Sequence, residues 1–67
     1  MERLSPREQE VLSLLASGHR PDAIARQLHI ATATARGHTK SIRRKLAVAS
    51  SLEAVVVGAR LGLVTPG

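Results

Sequence analysis

The chain has 67 residues and a formal net charge of +5, and it contains no cysteine and no aromatic residue. This length forms one small domain, the missing cysteine excludes disulfides and cysteine-based zinc sites, and the missing aromatic rings argue against single-stranded nucleic-acid binding. No apolar run reaches the roughly 20 residues of a membrane span, and no signal peptide is evident. We therefore expect a cytoplasmic protein without a membrane partner, whose charge favours nucleic acid.

The first predicted helix covers residues 6–17. The run Ser-Pro-Arg-Glu at 5–8 is a strong start, because Ser5 can cap the first amides and Glu8 can close a capping box. Gly18 is suited to end the helix. The apolar residues in between recur at helical spacing, at Val11, Leu12, Leu14 and Leu15.

Two further helices follow, with a connection of only three residues between them. Pro21 begins a short helix over 21–28, with Asp22 in its first turn. Thr32 is expected to cap a third helix over 32–46. Two short helices joined in this way, the second one basic, are typical of a helix-turn-helix.

A fourth helix is predicted over 51–61. Ser50 and Glu53 can form a second capping box, which outweighs the local strand preference of the β-branched run 55–57. Gly62 ends the helix, and a frayed tail over 64–67 follows. The sequence therefore predicts an all-α fold, a compact four-helix domain covering residues 1–67.

The third helix has two chemically distinct sides. No acidic residue occurs between Ala23 and Leu52, and at about 100° per residue the apolar positions separate from the cationic ones. The core side holds Ala35, Thr39, Ile42 and Leu46. The opposite side holds Ala33, Gly37, Lys40 and Arg44, flanked by Arg36, Ser41 and Arg43. Such a helix can pack on a protein core and contact a polyanion at the same time.

The outward side divides further by position. Arg36 and Lys40, one turn apart toward the N-terminal half, are suited to base edges, whereas a solvated charged face is the plainer interpretation. Gly37 would allow close approach to DNA, which would offset the roughly 1 kcal/mol that a mid-helix glycine costs. Arg44 shares the face of Lys40 and is suited to a phosphate, and His38 on the flank can reach a phosphate or the core edge.

Short motifs recur in a fixed order along nearly the whole chain. They are LSPREQEVL at 4–12, LASG at 15–18, IARQL at 24–28, the spaced residues of H-x-x-x-I-x-x-K-L-x-V at 38–48, and S-x-x-E-A-V at 50–55. Together they resemble the LuxR/GerE-type DNA-binding domain of bacterial response regulators and quorum-sensing regulators. The resemblance extends from Leu4 to about Val64.

This resemblance implies that the third helix enters the major groove of double-stranded DNA and that the domain forms a homodimer on DNA, often through the fourth helix. The implied base contacts are Arg36, Gly37 and Lys40. The expected phosphate contacts are Thr32, Thr34, His38, Ser41, Arg44 and Lys45. On the fourth helix, the side away from Val55 and Ala59 is expected to be exposed and to form the dimer patch. Its residues are Leu52, Val56, Val57 and Arg60.

The chain departs from the family pattern at several positions. A capping Ser is Ala31 here, and two core Val residues are Ala35 and Thr39. At the start of the second helix, Asp22 replaces a phosphate-facing cation. We expect a divergent member with an altered DNA preference.

Three hypotheses of function remain open at this stage. The leading one is a sequence-specific DNA-binding module of a transcription regulator, without a cofactor. A promoter-reading sigma-factor domain is similar, but it needs no capped fourth helix. A protein-interaction module that kept the fold but lost DNA binding is the alternative from another class. No acid–base pair or phosphate loop indicates an enzyme, and His19, His29 and His38 lack metal-ligand spacing.

The length also bears on partners. Sixty-seven residues leave no room for a sensor domain. We therefore expect either a receiver or ligand-binding domain upstream in a longer protein, or a module that acts alone. RNA polymerase is a further expected partner of such a regulator.

Overall fold

The computed structural model describes residues 2–64, and they form four α-helices and no strand. Their bounds are α1 Pro6–Ala16, α2 Pro21–Leu28, α3 Thr32–Leu46 and α4 Ser51–Arg60. The predicted all-α, four-helix architecture is confirmed. The first and fourth helices each end one residue earlier than predicted, because Ser17 and Leu61 are the residues that close them.

Serine residues cap the starts of α1 and α4, but only the capping box at α1 is complete. At α1, Ser5 Oγ accepts from the Glu8 amide at 3.1 Å, and the Ser5 amide donates to Glu8 Oε1 at 2.8 Å. At α4, Ser50 Oγ accepts from the Glu53 amide at 3.1 Å. Within residues 2–64 no bond returns to the Glu53 carboxylate, so the second predicted capping box is half formed.

The predicted cap of α3 is wrong. Ala31, with φ −69° and ψ 148°, occupies the cap position, and Thr32 is already the first helical residue. A cap must lie outside the helix in an extended conformation and offer a side-chain oxygen. Ala31 has the conformation but no oxygen, so α3 starts without a side-chain cap.

All four helices are followed by a residue in the left-handed region: Gly18, His29, Ala47 and Gly62. Each end has the bond of a Schellman motif that reaches back five residues, such as His19 N to Leu14 O at 3.0 Å and Val48 N to Arg43 O at 3.0 Å. Gly18 and Gly62 were expected at such ends. His29 and Ala47 hold the same conformation, at φ 57°, despite a Cβ.

The third helix is the centre of the core and contacts each of the other three helices. Its predicted core side is buried, and the hydroxyl of Thr39 is satisfied by the Ala35 carbonyl at 3.0 Å. The buried apolar residues are Val11, Leu12, Ile24, Ala25, Ala35, Ile42, Leu46 and Ala54. Because three helices hold one side of α3, its opposite side is fixed in direction.

The packing of α4 differs from the prediction in two respects. Its buried face is Ala54 and Gly58, and an added Cβ at Gly58 would lie 3.0 Å from Leu12 Cδ2. Val57 is half-buried against the core rather than exposed. Val64 also packs on the core, so the predicted frayed tail is wrong at that residue, and residues 65–67 lie outside the described part of the chain.

Candidate nucleic-acid interface

The outward side of α3 is the candidate interface. Its predicted base-contact residues, Arg36, Gly37 and Lys40, are all exposed. The predicted phosphate contacts are less uniform: Thr34 and Arg44 are exposed, whereas Thr32, His38, Ser41 and Lys45 are half-buried. The two ends of the helix differ further in what their side chains contact.

Arg36 and Lys40 form a free cationic pair that lies nearer the start of the helix than Arg44 and Lys45. Within residues 2–64, neither side chain forms an ion pair or a hydrogen bond. They are four residues apart and therefore project from neighbouring turns of the same face. Two uncompensated cations on a rigid helix are available to an external anion.

Gly37 between them has no packing role among residues 2–64. In this part of the chain, a Cβ built at Gly37 meets nothing within 4 Å. A mid-helix glycine costs roughly 1 kcal/mol relative to alanine, and no close neighbour explains that cost here. Gly58 is the opposite case, because its missing side chain allows α4 to approach Leu12.

Ser41 and Lys45, towards the C-terminal end, bind a buried acid. Lys45 Nζ donates to Glu8 Oε1 at 2.7 Å, and Ser41 Oγ donates to Glu8 Oε2 at 2.6 Å. Glu8 is only 5% exposed, and the charged ends of both ion-pair partners are largely removed from solvent. These two predicted phosphate ligands therefore already have an internal partner, which competes with a phosphate.

The pKa of Glu8 reflects this environment. Burial acts to raise the pKa, but the hydrogen bonds from Lys45, Ser41 and Ser5 outweigh it and lower the pKa to about 2. The carboxylate is therefore charged throughout the ordinary pH range and holds α1 to α3. The sequence assigned Glu8 only to the capping box. Its spacing of three and four residues from Val11 and Leu12 places it on the buried face of α1, which is a signal that could have identified it.

Arg44 forms an exposed ion pair with Glu2, in contrast to the buried pair of Lys45 with Glu8. Its Nη1 lies 3.0 Å from Glu2 Oε1, and both side chains are 63% exposed. Glu2 belongs to the segment before α1, and the Arg3 carbonyl of this segment also accepts from Lys45 Nζ at 3.4 Å. This segment therefore lies along the C-terminal end of α3.

Two of the three remaining acids pair with cations outside α3 and therefore leave its outward side cationic. Glu10 pairs with Arg7 at 3.9 Å, and Asp22 pairs with Arg26 at 3.6 Å. The acid at the start of α2 thus neutralises a cation on its own helix. Within residues 2–64, six cations have no ion-pair partner: Arg3, Arg20, Arg36, Lys40, Arg43 and Arg60.

A second surface lies on α4. Leu52 is 75% exposed and Val56 is 43% exposed, and because they are four residues apart on one helix they form a contiguous apolar surface. All four predicted dimer residues line one shallow depression, together with Glu53. Leu61, at 50% exposed, adds apolar surface near the end of the helix.

The described residues contain no group of three or more His, Cys, Asp or Glu side chains placed to hold a metal ion. His19 lies beside α1, with Nδ1 3.2 Å from the Leu14 carbonyl. In the same part of the chain, no helix has the length and apolar character required to cross a membrane.

A short second helix, a three-residue connection and an outward-facing basic third helix define a helix-turn-helix domain. The chain belongs to the luxR family of bacterial regulatory proteins, whose sequence profile matches residues 2–58. This confirms the resemblance found in the sequence.

Three similar proteins illustrate the match. The HTH-type transcriptional regulator MalT of Yersinia pestis is 41% identical over 58 residues, which are 87% of this chain but 6% of MalT. The structure of the transcription factor GerE superposes with a TM-score of 0.89 at 31% identity, covering 97% of each chain. A complex of Vibrio cholerae VqmA with ligand and DNA gives a TM-score of 0.86 at 32% identity, covering 94% of this chain and 28% of VqmA. The chain therefore spans a small part of MalT and VqmA and nearly all of GerE.

Proposed function

We propose that this domain binds double-stranded DNA in a sequence-specific manner, as the DNA-reading module of a bacterial transcription regulator. The observation that carries the proposal is the free pair Arg36 and Lys40 on the outward side of α3, a helix fixed by three others. A fixed helix can present side chains to base edges in a defined register. The family membership and the VqmA complex with DNA support the same conclusion.

In the proposed complex, α3 lies in the major groove, which is about 12 Å wide and admits one helix. Arg36 and Lys40 contact base edges, and an arginine in this position favours guanine, with its two acceptors. Gly37 brings the helix backbone close to the DNA. The absence of any close neighbour around Gly37 supports this assignment.

Phosphate contacts flank the base contacts in this proposal. Arg44, Thr34, Thr32 and His38 are available without breaking a buried interaction. Ser41 and Lys45 remain proposed contacts, but the single hydroxyl proton of Ser41 must be exchanged from Glu8 to a phosphate, and Lys45 already uses two of its three N–H donors for Glu8 and the Arg3 carbonyl. The salt dependence of binding reports how many phosphates are neutralised, since each contributes roughly 0.9 to the slope.

We further propose that two copies bind one DNA site through the α4 surface. The exposed Leu52 and Val56 form an apolar centre, and Arg60 with the half-buried Val57 forms its border. Dimeric proteins with a helix-turn-helix read two half-sites about one helical turn apart. The apolar area is small, so the dimer is expected on DNA rather than free in solution.

The wider context of the module is also part of the proposal. A receiver or ligand-binding domain in a longer protein would supply the signal, RNA polymerase would be the downstream partner, and the cytoplasm would be the compartment. The small share of MalT and VqmA that this chain covers supports a larger regulator, whereas the 97% coverage of GerE supports a module that acts alone.

Selection from a random duplex library, followed by binding measurements at a fixed salt concentration, tests the proposed function. We expect one enriched motif, bound at least about 10³-fold more tightly than random DNA. Equal affinity for all duplexes would exclude a sequence-specific regulator. Absence of any salt-sensitive binding at micromolar protein would favour the interaction module instead.

A further inference from the structure

The segment before α1 places a carboxylate on a cation of the proposed DNA surface. Glu2 Oε1 lies 3.0 Å from Arg44 Nη1, across 42 residues of sequence. The Arg3 carbonyl accepts from Lys45 Nζ at 3.4 Å, so two successive residues of the segment touch the same end of α3. The contact is thus a docked segment and not one isolated surface pair.

We propose that Glu2 is an intramolecular competitor of DNA phosphate for Arg44, so that the segment before α1 lowers the DNA affinity of the free domain. This inference rests on the proposed function, because it assumes that Arg44 faces a phosphate. The carboxylate and a phosphate oxygen are both anionic acceptors for the same guanidinium, and the negative charge of Glu2, 3.0 Å from Arg44 Nη1, also repels a phosphate that approaches this group.

The exposure of the pair makes this exchange possible. Both side chains of the Glu2–Arg44 pair are 63% exposed, whereas those of the Glu8–Lys45 pair are 6% and 16% exposed. An exposed ion pair contributes little and is screened by salt, so a polyanion can displace it. The buried pair resists displacement, because separating it leaves a charge in the core. Of the two acids at this end of α3, Glu2 is therefore the exchangeable one.

The position of Glu2 in the segment before α1 gives the Glu2–Arg44 contact a regulatory consequence. The competing carboxylate lies in the segment that leads into α1, six residues before Glu8. Any event that moves this segment away from α3 would free Arg44 without altering α3 itself. A partner or domain that holds the segment could thereby change the DNA affinity through a single contact.

The size of the effect follows from the strength of exposed ion pairs. Removing the competitor should tighten DNA binding about two- to five-fold at low salt, which corresponds to the upper range for such pairs. The gain should be similar for a specific and a random duplex, because phosphate contacts carry no base information. It should shrink as the ionic strength rises.

The test compares Glu2→Gln with a matched control, Glu10→Gln, in the whole chain. Both variants remove one exposed carboxylate and raise the net charge equally, and Glu10 is paired with Arg7 on α1 rather than with α3. Circular dichroism checks that both retain the helices. Fluorescence anisotropy with a labelled duplex then gives the affinity at several salt concentrations, and we expect a larger gain for Glu2→Gln than for Glu10→Gln.

A double-mutant cycle with Arg44→Ala identifies the target of the competition. If Glu2 acts on Arg44, the additional gain of Glu2→Gln over Glu10→Gln disappears in the Arg44→Ala background. Equal gains for both glutamine variants, or a gain that persists without Arg44, would overturn the inference while the parent still binds DNA. A parent chain without salt-sensitive DNA binding would overturn the proposed function, and this inference with it.

Discussion

The two ends of α3 contain similar side chains but differ in what holds them. In its first three turns, Arg36 and Lys40 are exposed, and within residues 2–64 they have no ion-pair partner. At the C-terminal end, Arg44 pairs with Glu2 and Lys45 pairs with Glu8. Composition alone would treat these cations as one patch. The structure separates cations without an internal acid from cations that already have one, and of the latter only Lys45 is largely removed from solvent together with its partner.

This difference shows that different residues of a single basic helix can serve stability and ligand binding. Lys45 and Ser41 bind a buried carboxylate and fix α3 against α1, whereas the preceding turns carry free charge outward. A substitution in the first group should therefore change stability, and one in the second should change binding. The predictions below use this separation, from the largest expected effect to the smallest.

The largest effect is expected at the buried pair. Lys45→Met leaves the Glu8 carboxylate buried without its cation, and such a loss costs about 3–5 kcal/mol of unfolding free energy. Urea or thermal unfolding followed by circular dichroism measures it. The double variant Glu8→Leu/Lys45→Met removes both charges and should recover a large part of the loss. If Lys45→Met has no more effect than Glu10→Gln, a surface control, the buried pair does not hold the two helices together.

The same pair predicts a pH dependence. The pKa of Glu8 is lowered from 4.5 to about 2 in the folded protein, so its contribution is complete above pH 4.5 and is lost as the pH falls towards 2. With about 1.4 kcal/mol for each pH unit, the loss is on the order of 3 kcal/mol. Unfolding curves between pH 6 and 2 measure it. The Glu8→Gln variant should lack most of this slope, and an unchanged slope would contradict the assignment.

The next largest effect is expected at the free cations, and on binding rather than stability. Arg36→Ala should reduce discrimination at defined base pairs by about 1–3 kcal/mol and leave the unfolding free energy nearly unchanged. Lys40→Ala should behave similarly at neighbouring base pairs. Selection experiments with each variant identify the affected positions. Arg26→Ala is a suitable control, because it removes an exposed arginine of α2. If Arg36→Ala keeps the preference of the parent, the base-contact assignment is wrong.

Short-range sequence signals predicted most of the helix ends and the core side of α3. Ser5, Ser50 and Gly18 indicate helix ends through bonds that span a few residues, and the structure forms these bonds. The spacing of Ala35, Thr39, Ile42 and Leu46 indicates the core side of α3 for the same reason. A structural preference that depends on residues within one helical turn can be recognised from neighbouring residues in the sequence.

Contacts between distant residues could not be predicted in this way. Glu8 meets Ser41 and Lys45 across 33 and 37 residues, and Glu2 meets Arg44 across 42. Neither pairing has a local pattern, so the sequence predicted Ser41, Arg44 and Lys45 as phosphate contacts and gave no sign of their internal partners. The left-handed His29 and Ala47 were also missed, because glycine is the usual signal for this conformation.

Gly37 and Gly58, which lie inside helices, should respond differently to substitution by alanine. Gly37→Ala fills open space and should stabilise the fold by about 1 kcal/mol. If α3 approaches DNA closely at this point, the same variant should weaken DNA binding. Gly58→Ala, the control, places a Cβ 3.0 Å from Leu12 Cδ2 and should gain less or destabilise. Unfolding and anisotropy experiments separate the two effects. A Gly37→Ala variant that is more stable and binds DNA like the parent would show that the glycine has no role in DNA approach.

The smallest effect is expected at the start of α3. Ala31 has the backbone of a cap without its oxygen, so Ala31→Ser can supply a bond to a first-turn amide and should stabilise the fold by about 1 kcal/mol. Ala33→Ser is the control, because it introduces the same hydroxyl inside the first turn, where serine has a lower helix propensity than alanine. Equal changes from both variants would exclude capping as the cause. The cap leaves Arg36 and Lys40 unaltered and adds no charge. DNA affinity should therefore rise only if fraying of the first turn limits the presentation of these two side chains, and anisotropy measurements on the stabilised variant decide this point.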